Sequence, residues 1–228
     1  MAAKPEAAAA RSISDDAVRK ATGKSWEHWF KVLDKFDVQA NGHRNAAYHL
    51  YEKHNVPAWW SQMVTVEYER ARGLRQVNER PDGFQISVSK TIAAPAFEAF
   101  DAWAKAAKLN KWFTTGAKQK FEEGGAYSNG DNDKGVFRRI VMDKLIRFTW
   151  ENEKHSPGTV VEVQFEAKPG GKSVVRVIHS KLSDKKCADD MKTGWKWALD
   201  SLASYLETGK GIRYEKWDES RKAAAGRK

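Results

Sequence analysis

The sequence predicts an α+β protein in which an antiparallel sheet wraps around a long C-terminal helix, preceded by an all-helical domain. Three observations carry this. Apolar residues recur at helical spacing as far as Arg75. From about Asp82 they alternate with polar neighbours at a period of two. A final stretch, from about Asp184 to Glu207, returns to helical spacing for long enough to cross a sheet.

The helical segment is punctuated by caps. Ile13, Ser14, Asp15, Asp16 and Val18 supply a hydrophobic staple, an N-cap and an acidic first turn, and Gly23 stops that helix. Ser25 caps a second helix carrying Trp26, Trp29, Phe30 and Leu33. Asn41-Gly42 breaks the chain, and Ala46, Ala47, Leu50 and Tyr51 mark a third helix ending near Asn55. Between Pro57 at a helix start and Gly73 just past its end lies a fourth, with Trp59, Trp60, Met63, Val64 and Ala71 near one side. The short Val-Thr-Val alternation inside it does not overrule those flanks. Arg70, Arg72 and Arg75 then offset the helix dipole, and Glu67 and Glu69 interrupt them as a nucleic-acid surface.

The period-two segment opens with "FQISVSKTI" (84–92). Pro95 starts a helix with Phe97, Phe100 and Trp103, and "LNKWF" (109–113) forms a second short one. Strands follow at 134–142, 145–151, 159–167 and 173–182, divided by Gly and Pro clusters, with Phe121 and Gly124-Gly125 pointing to further strands before them. On the last helix, stopped by Gly209, Ala188, Met191, Trp195, Leu199, Leu202 and Leu206 share a face. Trp197 falls nearly opposite, beside Asp190, Ser201 and Ser204. A large aromatic there needs cover, expected from the helical domain or the tail.

Composition narrows the class. Hydrophobic residues make up 41% of the 228, with 10 Trp, so the chain can bury a substantial core. Its one cysteine, Cys187, forms no internal disulfide and no Cys-based zinc site, which suits a reducing compartment. "MAAKPEAAAAR" is a poor secretory signal and no apolar run approaches the ~20 residues of a membrane span, so a soluble cytoplasmic protein is expected. A disproportionate part of the net charge of +10 lies in the basic tail, 209–228, expected to be a solvated, partly disordered end. No specific nucleic-acid partner is expected.

The order strand, two short helices, antiparallel strands and a long helix is that of the helix-grip fold. Residues 84–208 resemble the START-related, Bet v 1-like (SRPBCC) superfamily, and within it the family named after the activator of Hsp90 ATPase. The resemblance rests on "SKTIAAPAFEAFDAW" (89–103), "LNKWF" (109–113), "FEEGGAY" (121–127), "LIRFTW" (145–150), "VIHSKL" (177–182) and "GWKWALDSLASYL" (194–206). Residues 14–81 resemble a small helical family of unknown function, through "ATGKSWEHWF" (21–30), the stretch 42–75 and "DGF" (82–84). The implied organisation is a disordered N-terminus (1–13), a helical domain (14–76), a helix-grip domain (84–208) and the tail.

The helix-grip fold can leave an apolar cavity between sheet and helix. Alternation turns three sets of side chains toward it: Ile146, Phe148 and Trp150; Val161, Val163 and Phe165; Val175, Val177 and His179. Met191, Trp195 and Leu199 face them from the helix. These residues line a ligand site or simply fill the core. His179 is the inward polar residue, either a ligand or base group or one bonded to a neighbour.

Other motifs reduce to structure. "KPGGKS" (168–173) has Glu166 where a phosphate loop needs its first glycine, and reads as a hairpin turn. "NGDNDKG" (129–135) lacks the spaced glycine and closing glutamate of a calcium loop. His43, His49 and His54 lack paired metal-ligand spacing, and no metal or cofactor is expected. Lys185 and Lys186 precede Cys187, an arrangement that can depress a thiol pKa, but Cys187 is expected to be a plain structural or surface thiol. No nucleophile–base–acid set is present. The function expected is non-catalytic binding of a small hydrophobic ligand. The alternatives are a chaperone-associated module with a protein partner, as the family name implies, and an enzyme of the polyketide-cyclase kind, which needs an acid/base pair in the cavity.

Overall fold

A computed structural model describes residues 13–152 and 157–225. The expected disordered stretch lies, except for Ile13, outside the described residues. The chain divides into two units, residues 1–77 and 78–228. Among the described residues, no helix is long and apolar enough to cross a membrane.

The first unit holds α1 (Asp15–Thr22), α2 (Trp26–Phe36), α3 (Val38–His54) and α4 (Ala58–Ala71). The caps act as their residue types dictate. Ser14 Oγ accepts from Ala17 N–H, Ser25 Oγ accepts from His28 N–H, and Gly23 ends α1 at φ 76°. Asp15 Oδ1 accepts from Trp26 N–H at 2.9 Å, tying the start of α2 to α1. Trp26, Trp29, Phe30 and Leu33 are all buried.

The expected break at Asn41-Gly42 is present: Gly42, at φ 78° and ψ 161°, is non-helical and kinks α3 after a first turn that begins at Val38. The expectation for α4 is corrected. On α4 the buried face is Ser61, Val64, Thr65 and Tyr68, while Trp59 is 58% exposed and Ala71 is also outside. The reason is hydrogen bonding. Ser61 Oγ donates to Val56 O (3.0 Å) and Thr65 Oγ1 to Ser61 O (2.8 Å), so two small polar residues enter the core without stranding a donor. The arginines are ion-paired: Arg70 with Glu67, Arg72 with Asp34 and Arg75 with Glu69.

The second unit contains β1 (Glu79–Arg80), β2 (Gly83–Ile92), α5 (Ala96–Ala104), α6 (Ala106–Trp112), β3 (Lys118–Gln119), β4 (Ala126–Ser128), β5 (Lys134–Val141), β6 (Leu145–Trp150), β7 (Thr159–Lys168), β8 (Lys172–Leu182), α7 (Lys185–Thr208) and α8 (Tyr214–Ala225). The strands form one antiparallel sheet in the order β1-β2-β8-β7-β6-β5-β4-β3. Register aligns one inward row across five strands: Ile86, His179, Val161, Phe148 and Phe137. Asp184 caps α7 through Cys187 N–H, and Gly209 ends it at φ 77°. Gly135 sits where a β-carbon would collide with the Thr149 carbonyl and crowd the Tyr127 ring. The tail is not a loose end: Tyr214–Ala225 is helical, with no buried residue.

His43 bridges Gln62 and Glu69, with Nδ1 3.0 Å from Glu69 Oε1 and Nε2 2.8 Å from Gln62 Oε1. With oxygen atoms of Glu69 and Gln62 beside its two nitrogens, the protonated form of the ring is favoured. The hydrogen bond to Glu69 raises its pKa above 6.5. Burial opposes ionisation of Glu69, yet its bonds from His43 and Arg75 hold it below 4.5. The His43 contribution to stability is complete below pH 6.5 and fades as pH rises through the raised value; that of Glu69 is complete above 4.5 and fades on acidification. Hydrogen exchange in α3 and α4 should therefore be slowest, after correction for intrinsic rates, between those two pH values, and His43→Gln should remove the alkaline limb and shrink the acid one, because His43 is one of the two groups that hold Glu69 down.

Candidate functional site

The interior of the second unit is built around His179 on β8, which is 0% exposed. Burial pushes its imidazole down to about 3, so the ring is neutral. Trp195 Nε1–H, a donor only, reaches His179 Nδ1 at 3.0 Å. That places the ring proton on Nε2, which donates to Thr159 Oγ1 at 2.6 Å. Thr159 Oγ1 in turn donates to Trp150 O at 3.0 Å. His179 is thus bonded to its neighbours through both nitrogens, and neither is free to take a substrate proton.

Of the side chains expected to line the interior, Val161, Val163, Phe165, Val175, Val177, Trp195 and Leu199 are buried core residues, and Met191 is half-buried against them. Ile146, Phe148 and Trp150 face a cavity of ≈ 40 Å³ on the β4–β6 side. Its other walls are Trp103 from α5, Leu109 from α6, Phe113 just beyond α6, Tyr127 from β4 and Phe137 from β5. Thr114, Ala117, Lys118, Gln119, Ser128 and Asn129 also border it.

The sequence pattern did not assign Trp103, Phe113, Tyr127 or Phe137 to the cavity. A bulge between Phe137 and Arg139 interrupts the alternation that would have marked Phe137. Phe113 follows a helix too short to display a periodicity.

Two polar atoms stand out on these walls. Tyr127 OH donates to Thr149 O at 3.1 Å, and burial raises its phenol so that it stays protonated. Trp103 Nε1–H is buried and has no hydrogen-bond partner, although the residue is only 5% exposed. Elsewhere in this unit the indoles of Trp112, Trp195, Trp197 and Trp217 all donate.

The remaining candidates are structural. Residues 129–133 close on themselves and on Asn152: Asn129 Oδ1 accepts from Asp131 and Asp133 N–H, and Asn152 Nδ2 donates to Asp133 Oδ1 at 2.7 Å. "KPGGKS" is the turn joining β7 to β8, with Lys168 opposite Lys172. Among the described residues no group of three or more His, Cys, Asp or Glu could hold a metal ion. Cys187 is a half-buried thiol whose pKa burial pushes up, against hydrogen bonds with Ser183 that lower it. Trp197 is covered from within its own unit, by the Phe113 ring and the segment after α7.

A long C-terminal helix lying in the grip of an antiparallel sheet defines this unit as a helix-grip domain of the START-related, Bet v 1-like class. The sequence profile described as "Activator of Hsp90 ATPase homolog 1-like protein" matches residues 93–207. The chain belongs to that family. Among solved structures it is similar to CalU16 from Micromonospora echinospora, at 23% identity and TM-score 0.50 over 57% of this chain and 82% of that one. The Aha1 dimer from Colwellia psychrerythraea gives 22% identity and TM-score 0.50 over 56% and 98%. At such identity the likeness is one of fold. No curated protein matches the chain.

The neutral state of His179 has a measurable consequence. Because its folded pKa of about 3 lies below the ordinary 6.5, its contribution to stability is complete above pH 6.5 and is lost as pH falls toward 3. In urea titrations of the full chain, His179→Phe should flatten part of that acid slope. The same substitution should destabilise the unit at neutral pH by ~1–3 kcal/mol for each polar partner it strands.

Proposed function

We propose that the second unit is a non-catalytic binding domain that takes a small, neutral, mostly apolar molecule against the wall of Trp103, Phe113, Tyr127 and Phe148. The observation that carries this reading is the unpartnered indole N–H of Trp103 on that wall. A buried donor left unmade costs ~1–3 kcal/mol, which a ligand bearing one neutral acceptor, such as a carbonyl or ether oxygen, recovers on binding. A cationic ligand is disfavoured, because the aromatic wall offers no negative charge to offset desolvation and Lys118 is the charged residue on its border. Catalysis has no support from the interior: His179 and Tyr127 spend their hydrogen bonds on the fold. The cavity of ≈ 40 Å³ is far below the ~300–1,000 Å³ of small-molecule sites, so loading requires its walls to move apart. Its place in the cell, on this reading, is the cytoplasm.

A second reading follows from the family description, that of a module binding an Hsp90-type ATPase. A specific surface favours it. An open groove of ≈ 710 Å³ between the start of α5 and the β7–β8 turn is floored by Phe97, which is 56% exposed, and rimmed by Lys144, Lys168 and Lys172.

Nile red, a neutral dye with a carbonyl acceptor, separates the two. On the first reading it binds the wild-type chain, and Trp103→Phe, which keeps the ring and deletes the donor, weakens it by ~3- to 10-fold, the worth of one hydrogen bond. Equal binding by the variant would remove Trp103 from the site. On the second reading, a purified Hsp90-family ATPase is stimulated by the chain, and Phe97→Ser abolishes the effect without changing dye binding.

A further inference from the structure

The segment after α7 is fastened to both helices beside the cavity. Gly211 N–H donates to Lys111 O at 3.2 Å, and Ile212 N–H donates to Ser201 Oγ at 2.8 Å. Ser201 Oγ–H donates onward to Trp112 O at 2.5 Å. Wholly buried, Ser201 is the joint where α6, α7 and the following segment meet. Farther along, Trp217 Nε1–H reaches Asp200 Oδ2 at 2.7 Å. The fit at Gly211 is tight: a β-carbon there would lie 2.5 Å from Trp112 Cα and 2.7 Å from Ser201 Oγ.

This segment also borders a surface cleft of ≈ 460 Å³, within the ~300–1,000 Å³ range of small-molecule sites. Phe113 and Thr114 line both the cleft and the internal cavity. The Phe113 side chain is therefore the partition between a ligand-sized outer space and the apolar inner one. Its ring is stacked between Trp195 (centroids 5.7 Å) and Trp197 (6.0 Å). Trp197 is in turn held by its bond to Ile212 O at 2.7 Å and by the Tyr214 ring at 5.6 Å.

We infer that residues 209–217 are a strap that latches a Phe113 gate. Seated, the strap pins the end of α6 through Lys111 and Trp112 and backs Phe113 with Trp197, which keeps the cavity separate from the cleft. Lifted, it frees Phe113 to swing toward the cleft and joins cavity and cleft into one site. The inference rests on the ligand reading above and names the regulation of that site. A closed state that must open before binding lowers apparent affinity by the fraction that is open, so releasing the latch tightens binding with no new ligand contact.

The test uses the full-length chain, its Gly211→Ala variant, which unseats the strap by bulk, and Ser201→Ala, which removes the joint without bulk. Hydrogen exchange over residues 106–113 and 209–217 reports the latch, and Nile red titration reports the site. The expected result is faster exchange in both segments, together with dye binding at least ~10-fold tighter in the variants, as a released conformational equilibrium gives. If exchange quickens in 209–217 alone, or in both segments with dye binding equal to wild type, the latch is overturned and the ligand reading stands. If neither the wild type nor the variants bind dye while 106–113 exchanges faster, the ligand reading falls and takes the gate with it.

Discussion

Burying a histidine at the centre of the sheet imposes the constraint on which the rest of the second unit depends. An imidazole wholly out of water is held neutral, and a neutral ring has one donor and one acceptor to satisfy. Trp195 supplies the donor for Nδ1, so α7 can lie on the sheet only at the rotation and height that bring this indole over His179. Thr159 supplies the acceptor for Nε2, which fits the β7–β8 register in which Val161 stands opposite His179. A slip of one residue would turn the whole face of β7 outward. With Trp195 fixed, the rings of Trp150, Phe113 and Trp103 pack around it with centroids 5.3, 5.7 and 6.0 Å away.

The same economy of hydrogen bonds defines what the interior can do. Gln119 Nε2 donates to the Trp103 and Ala104 carbonyls, Ser173 Oγ to Ala94 O, and Ser201 Oγ to Trp112 O. Each of these bonds joins separate elements, so a proton moved from one of these groups would be moved at the expense of the fold. Trp103 is different. Its N–H is uncommitted, yet an indole neither gains nor loses a proton near neutral pH, so the group suits recognition and not acid–base chemistry.

Much of this was legible in the sequence, and the exceptions share a cause. Strands alternate without interruption over 145–150 and 159–165, and α7 carries an Asp cap and a Gly stop, so local chemistry and tertiary structure agree there. The α4 face misled because hydrophobicity was used as a stand-in for burial. Ser61 and Thr65 go inside once their hydroxyls find carbonyls one turn back, and Trp59 is left outside. The tail misled through its charge: Lys216, Arg221 and Lys222 signal a solvated segment, and the segment is solvated, but its Asp218 pairs with Arg221 and Lys222 along a helix. The cavity wall was legible where strands supply it, at Ile146, Phe148 and Trp150, and illegible where a bulge or a short helix does, at Phe137 and Phe113.

That last contrast bears on where such a domain opens. A closed space yields at the wall whose local structure contributes least to holding it. On the sheet side Phe148 and Trp150 sit in continuous ladders, β6 pairing with β7 from Leu145 to Trp150. On the helix side α6 has seven residues and no side-chain N-cap bond, and both Phe113 and Thr114 N–H crowd onto the single carbonyl of Leu109 at its end. A helix so short is unstable alone and takes its order from packing and from tertiary bonds. Among those bonds are Trp112 Nε1–H to Ala102 O at one side and the Ser201–Gly211 joint at the other, beside the Lys108–Asp101 ion pair and the Ala117 N–H bond to Asn110. The first lies inside the core and is fixed with it. The second joins the buried Ser201 of α7 to a segment that follows α7, and that segment is the one that can be released while the sheet, the His179 network and α7 remain in place.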